Sequence, residues 1–138
     1  MKKYKLGIIA LAGLILISTG CSTGKDVKAS LGEEFSVNIG QTARIDSEDL
    51  EIEFIDIVGD SRCPKGVTCI WAGEVTAKVA INTGNSLDEL LLTEHGLSNG
   101  KATAVYQKYR LVYHVEPYPE QGTTIAKDQY QLLIMVSR

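Results

Sequence analysis

Two cysteines, Cys63 and Cys69, are the residues of this 138-residue chain whose type and spacing most clearly offer chemistry. Thiol side chains can bind zinc, exchange electrons or join in a disulfide. Five residues separate the two, which is not the CxxC spacing of a redox pair, and a zinc site would need further ligands from the only histidines, His95 and His114. A disulfide that closes a short ring is therefore the favoured interpretation, and no metal or cofactor is predicted.

The third cysteine, Cys21, follows a positively charged and then apolar N-terminus. Three lysines precede an apolar run over residues 6–17, which is shorter than the roughly 20 residues that a membrane-spanning helix needs. The run ends in the small residues STG before Cys21. This arrangement resembles the lipobox of bacterial lipoprotein signal peptides, which implies cleavage before Cys21 and its modification by acyl chains such as palmitate. A plain secretory signal and a short membrane anchor are the alternatives.

The cysteine count and the charge agree with export. An odd number of cysteines normally leaves a free thiol in an exported protein, but a lipidated Cys21 leaves Cys63 and Cys69 as one pair. After the predicted signal peptide, residues 1–20, there remain 11 basic and 17 acidic side chains, a net charge of −6. Such a surface argues against nucleic-acid binding. The predicted location is the extracytoplasmic side of the cell membrane, to which the lipid is the link.

Alternation of apolar and polar residues dominates the rest of the chain and indicates strands. The clearest examples are residues 35–39, 50–57, 75–81, 109–115 and 130–136. A change of parity near Ile55 predicts a β-bulge. We therefore predict an all-β domain over residues 34–138, a single antiparallel β-sandwich or small barrel of about 7–8 strands. Residues 21–33, small and polar after the cysteine, are predicted to be a flexible tether.

The segment between the strands at 50–58 and 74–81 is the most unusual part of the chain. It contains both cysteines together with Arg62, Lys65 and Trp71. One hypothesis is a structural staple with Trp71 packed over the disulfide in the core. A second is a recognition loop that presents Arg62, Lys65 and Trp71 to a partner, with a protease-inhibitor loop as its sharper form. A metal or redox site is the third.

The same segment resembles a family of small, uncharacterised bacterial lipoproteins. The likeness lies in the pattern DSRCP, four residues, a second cysteine, one residue and then WAG, over residues 60–73. It continues through VEPYP at residues 115–119 and DQY at residues 128–130. The resemblance implies a shared fold and a lipid anchor, and it implies no activity.

Tyrosines form a second candidate site. Tyr109 and Tyr113 share one face of a predicted strand, and Tyr118 follows in a Pro-Tyr-Pro turn, so that the three rings are a candidate platform for a glycan or small ligand. The alternative is that they are cross-strand partners within the sheet. His95 and His114 are predicted to be surface histidines.

Enzyme signatures such as GxSxG, HExxH or a phosphate-binding glycine loop are absent from the sequence, and we predict no catalytic residues. The expected function is that of a membrane-anchored lipoprotein of the cell envelope, acting as a non-catalytic binding or structural module. Two alternatives stay open, the interception of an exported protein by the loop over residues 62–71 and ligand binding on the tyrosine face.

Overall fold

A computed structural model describes residues 26–96 and 101–138 of the chain. The predicted signal peptide and Cys21, the predicted lipidation site, lie outside these residues. Within them the chain forms nine strands and one short 3-10 helix. In chain order the strands are β1 (Val27–Ala29), β2 (Glu34–Asn38), β3 (Thr42–Ile45), β4 (Leu50–Asp60), β5 (Glu74–Asn82), β6 (Leu87–His95), β7 (Ala102–Tyr106), β8 (Tyr109–Glu116) and β9 (Gln131–Ser137), with the 3-10 helix Lys127–Gln129 before β9.

The strands form two sheets that face each other, which confirms the predicted β-sandwich; the sheets do not close into a barrel. The first sheet has the order β1-β3-β4-β5-β6 and the second β2-β9-β8-β7. All neighbours are antiparallel except β1 and β3, which pair in parallel. Nine strands exceed the seven or eight expected, and β1 and β7 are the strands that the sequence did not indicate.

Residues 27–33, predicted to be part of a flexible tether, belong to the sandwich instead. Val27 to Ala29 lie in register with Ala43 to Ile45 of β3, and the Gly32 N–H donates to the Val136 carbonyl at 2.8 Å. Three residues are too few for an alternation to stand out from a polar segment. The stretch between Cys21 and the first ordered strand is correspondingly short.

The core lies between the two sheets and is built by the alternation seen in the sequence. On β5 the buried side is Val75, Ala77, Val79 and Ile81, and on β9 it is Leu132, Ile134 and Val136. The predicted bulge is present, since the β4–β5 register shifts between Phe54 and Asp56, and a second shift lies between Ile57 and Gly59. Two bulges allow β4 to bend over the core while Phe54 stays fully buried.

No helix among the described residues is long and apolar enough to cross a membrane.

Replacing Phe54 by alanine tests the core. Because this ring is fully buried between the sheets, Phe54→Ala should lower the free energy of unfolding by about 3–5 kcal/mol in urea titrations. Leu87→Ala is the matched control, since Leu87 is 72 % exposed and should change stability by less than about 0.5 kcal/mol. Equal effects of the two substitutions would contradict the assigned packing.

Candidate binding site at the disulfide loop

The loop between β4 and β5, residues 61–73 (the disulfide loop), continues their hairpin before it leaves the sheet. The Ser61 N–H donates to the Glu74 carbonyl at 2.8 Å, and the Cys63 N–H donates to the Ala72 carbonyl at 2.9 Å. Cys63 and Cys69 form the predicted disulfide, with their Cα atoms 5.9 Å apart. The base of the loop is thus held by a ladder and its outer part by a covalent ring.

Gly73 shows why the WAG sequence ends in glycine. Its φ is +70°, and an ideal Cβ there would lie 1.8 Å from the Ser61 carbonyl oxygen. The Gly73 carbonyl in turn accepts the Gly96 N–H at 2.8 Å, which ties the hairpin to the end of β6. Any side chain at residue 73 would collide with backbone, so the close approach requires glycine.

Arg62 is buried, which is contrary to the hypothesis that it is presented to a partner. Only 3 % of the residue is exposed. Its Nε and Nη2 donate to the two carboxylate oxygens of Asp60 at 2.9 and 2.6 Å. Its Nη1 donates to the Val115 carbonyl at 2.8 Å and Nη2 to the Pro117 carbonyl at 2.9 Å. The guanidinium therefore fixes the loop of the first sheet to the end of β8 in the second sheet.

Asp60 is held as a carboxylate by this arrangement. Its burial acts to raise the pKa, but the hydrogen bonds and charge of Arg62, together with a hydrogen bond from the Tyr130 hydroxyl at 3.1 Å, outweigh burial and lower the pKa below its ordinary value of 3.8. The same contact acts on the partner, since burial and then the Asp60 charge raise the pKa of the Tyr130 hydroxyl. Asp60 is therefore a carboxylate at neutral pH, whereas the Tyr130 hydroxyl keeps its proton.

Lys65 is exposed, but its backbone is fixed. The Lys65 N–H donates to the Pro119 carbonyl at 2.9 Å, and the Lys65 carbonyl accepts the Gln121 N–H at 3.1 Å. The Arg62 guanidinium lies 5.0 Å and the Lys65 ammonium 5.7 Å from the centroid of the Tyr118 ring, within the range of cation–π attraction. Both cations of the loop are thus directed toward one tyrosine of the same domain.

The tip of the disulfide loop is apolar and exposed. Ile70 is 94 % and Trp71 81 % exposed, and Val67 is also open to solvent. We call these three residues the apolar tip. The expectation that Trp71 packs over the disulfide in the core is wrong. The hydrogen bonds between the two arms of the hairpin end at Ala72, and Trp71 lies just beyond them with its indole exposed. Trp71 is instead available for contact, as the recognition hypothesis proposed.

The tyrosines do not form a platform. Tyr109 and Tyr113 point into the core, and their hydroxyls donate to Glu48 and to the Thr93 carbonyl, each at 2.7 Å. Tyr118 lies apart from them, half-buried at the disulfide loop. The polar face of β8, with Arg110 and His114, is the signal that could have shown which side faces the core.

Glu94 is a buried acid that sequence reasoning missed. It is almost fully enclosed, and its two oxygens accept the Val115 N–H at 2.8 Å and bond the His114 ring Nδ1 at 2.7 Å. The His95 Nδ1 lies 3.4 Å from the Glu74 Oε2. The disulfide takes both cysteines away from a zinc site, and in the part of the chain that the structure describes no three His, Cys, Asp or Glu residues converge as metal ligands.

Two clefts flank these elements. One of about 270 Å³ lies beside the disulfide loop, and a larger one of about 500 Å³ lies at the opposite end of the sandwich. In the larger cleft the Glu48 carboxylate accepts a hydrogen bond from Tyr109 and forms ion pairs with Lys108 and Arg138. The negative charge of Glu48 is therefore already paired within the protein. The smaller cleft is lined by Asp60, Arg62, Pro64, Pro119, Thr123, Thr124, Ile125 and Tyr130.

Comparison with protein-family models, with curated proteins and with solved structures finds no match to this chain. By its fold and site, the protein belongs to the class of β-sandwiches, and it carries a disulfide-closed loop whose exposed tip is apolar.

Removing the Arg62 side chain should destabilise the fold strongly. Arg62→Ala leaves the Asp60 carboxylate buried without its counter-charge and two carbonyls without donors, and we expect a loss of about 3–5 kcal/mol in the free energy of unfolding. Lys65→Ala, which removes the exposed cation of the same loop, should cost less than about 1 kcal/mol. Similar losses for both variants in urea titrations would show that Arg62 does not hold the sheets together.

Acid should remove the contribution of Asp60. Because the pKa of Asp60 is lowered by folding, its stabilisation is complete above the ordinary value of 3.8 and disappears as the pH falls through the lower pKa of the folded state. We expect Asp60→Asn to be less stable than the native chain at neutral pH and to lose less stability on acidification. An unchanged slope of unfolding free energy against pH would contradict this assignment.

Proposed function

We propose that this protein is a lipoprotein of the bacterial cell envelope, anchored through Cys21 on the extracytoplasmic side of the membrane, and that it is a non-catalytic binding or structural module. The observation behind the module is the apolar tip. Ile70 and Trp71 are almost fully exposed on a loop that a disulfide and a backbone ladder hold rigid. Exposed apolar side chains that are neighbours mark a contact surface more often than single exposed ones do.

Rigidity makes the tip well suited to binding. A contact loses less conformational entropy when the loop is already ordered, and tryptophan is among the residues that contribute most at binding surfaces. The fixed base comes from the Cys63–Ala72 ladder and from the Lys65 bonds to the segment at residues 119–121. The tip can therefore insert into a partner without first being ordered.

Three features of the sequence support the anchor. The charged and apolar N-terminus precedes small residues and Cys21, and the mature chain keeps no other unpaired cysteine once Cys63 and Cys69 are joined. A disulfide persists in an oxidising compartment, which agrees with export. Lipidation with two or more acyl chains gives stable membrane attachment, whereas a single chain gives only marginal binding.

The interception of an exported protein by the same loop is the second candidate, and Trp71 is the residue that favours it. Its protease-inhibitor form is less well supported. A substrate-like loop pairs its backbone with the protease, but the N–H and carbonyl of Lys65 are already bonded to Pro119 and Gln121. Contact through the apolar side chains fits the geometry better.

Cys21→Ala tests the anchor in the producing cell. We expect the native chain to incorporate a palmitate analogue and to stay with washed membranes, and the variant to lose both properties while remaining folded. Retention of label and membrane attachment by Cys21→Ala would rule out lipidation at this cysteine.

Hydroxyl-radical labelling of intact envelopes tests the contact surface. Ile70 and Trp71 should be labelled several-fold less in the envelope than in the purified protein, because a bound partner covers them. Leu87 and Leu91, which are exposed on β6, are the internal controls and should be labelled equally in both samples. Equal labelling of the apolar tip in both samples would show that it contacts nothing.

A further inference from the structure

We propose that the partner of the apolar tip is the lipid surface of the same membrane that holds the Cys21 anchor. This inference rests on the proposed lipid anchor and names the contact that the disulfide loop makes. The anchor and the loop would then be two attachments to one bilayer, and together they would fix the orientation of the sandwich on it.

The strand directions point the N-terminal end of β1 toward the end of the sandwich that carries the disulfide loop. β1 runs parallel to β3, and β3 runs antiparallel to β4. The N-terminal end of β1 therefore faces the direction in which β4 ends, and β4 ends at Asp60, where the disulfide loop begins. β1 therefore begins on its loop-facing side, and the anchor at Cys21 is proposed to lie in that direction.

The lengths of the two segments also match. Val27 is level with Ala43 and Ile52 across the first sheet. From that level to the loop base, β5 runs from Ile81 to Val75, six residues and roughly 20 Å. Cys21 likewise lies six positions before Val27, and a fully extended chain over that distance spans at most about 20 Å. The tip lies beyond the loop base, so a membrane-bound Cys21 cannot hold the loop clear of the surface when the strands stand upright.

The chemistry of the tip suits a bilayer interface. Tryptophan is enriched at the boundary between lipid and water because its ring is apolar and its N–H is polar, and an exposed isoleucine beside it adds apolar surface to bury. Exposed carboxylates of Glu74 and Glu120 lie nearby and the mature chain is acidic, so the attachment would depend on apolar burial and little on salt.

Trp71 is the only tryptophan of the chain and therefore reports on the tip directly. The processed protein is purified from membranes and reconstituted into vesicles of phosphatidylethanolamine and phosphatidylglycerol. We expect its emission to shift to shorter wavelength, to lose intensity when the acyl chains carry bromine, and to change little in high salt. Ile70→Ser should lower the ratio of docked to undocked protein roughly tenfold. Leu87→Ser, at the opposite end of β6, should leave the emission unchanged.

Separate readouts distinguish failure of docking from failure of the anchor. One outcome is protein that sediments with the vesicles and carries lipid by mass spectrometry while aqueous acrylamide still quenches Trp71 fully. That result would overturn docking and leave the anchor intact. A blue shift that grows with protein density at fixed lipid would overturn it in favour of a second copy. Absence of lipid on Cys21 would overturn the proposed function. Docking would then be tested by coupling the Cys21 thiol to a maleimide lipid. Unshifted Trp71 emission from this coupled protein would refute docking.

Discussion

The arrangement of the two sheets at the disulfide-loop end of the sandwich depends on the buried ion pair between Asp60 and Arg62. A guanidinium out of water is stable only if its donors are satisfied, and here a carboxylate two residues away and two carbonyls of the other sheet satisfy them. A β-sandwich is otherwise joined by non-directional apolar packing, which tolerates sliding. Directional bonds from Arg62 to Val115 and Pro117 fix the position of the loop relative to β8.

Val115 shows how the second sheet depends on this pair. β7 begins at Ala102, which pairs with Tyr113, so no residue of β7 lies opposite Val115. In an antiparallel strand the N–H and carbonyl of one residue point to the same side. Both groups of Val115 are bonded by side chains from the first sheet, the N–H by Glu94 and the carbonyl by Arg62. Side chains thus take the place of a strand where the edge of β8 would be buried without partners.

Local pattern predicted much of the fold, but the candidate site only in part. The alternation on β5 and β9 and the parity change near Ile55 were sufficient for the sandwich and the bulge. Arg62 was misplaced because its exposure depends on carbonyls 53 and 55 residues away along the chain, which no local pattern encodes. The tyrosine face was misplaced because alternation shows only that Tyr109 and Tyr113 share one face of β8. The polar residues on the opposite face show that the tyrosine face is the one turned toward the core.

The internal use of its cations explains why a loop with a basic sequence presents an apolar surface. Arg62 is enclosed by Asp60 and backbone carbonyls, and Lys65 is directed toward the Tyr118 ring. Ile70 and Trp71, which directly follow the disulfide-closed ring, remain exposed because they have no place in the core. The same residues that lock the loop to the sandwich therefore decide the kind of surface that its tip can bind.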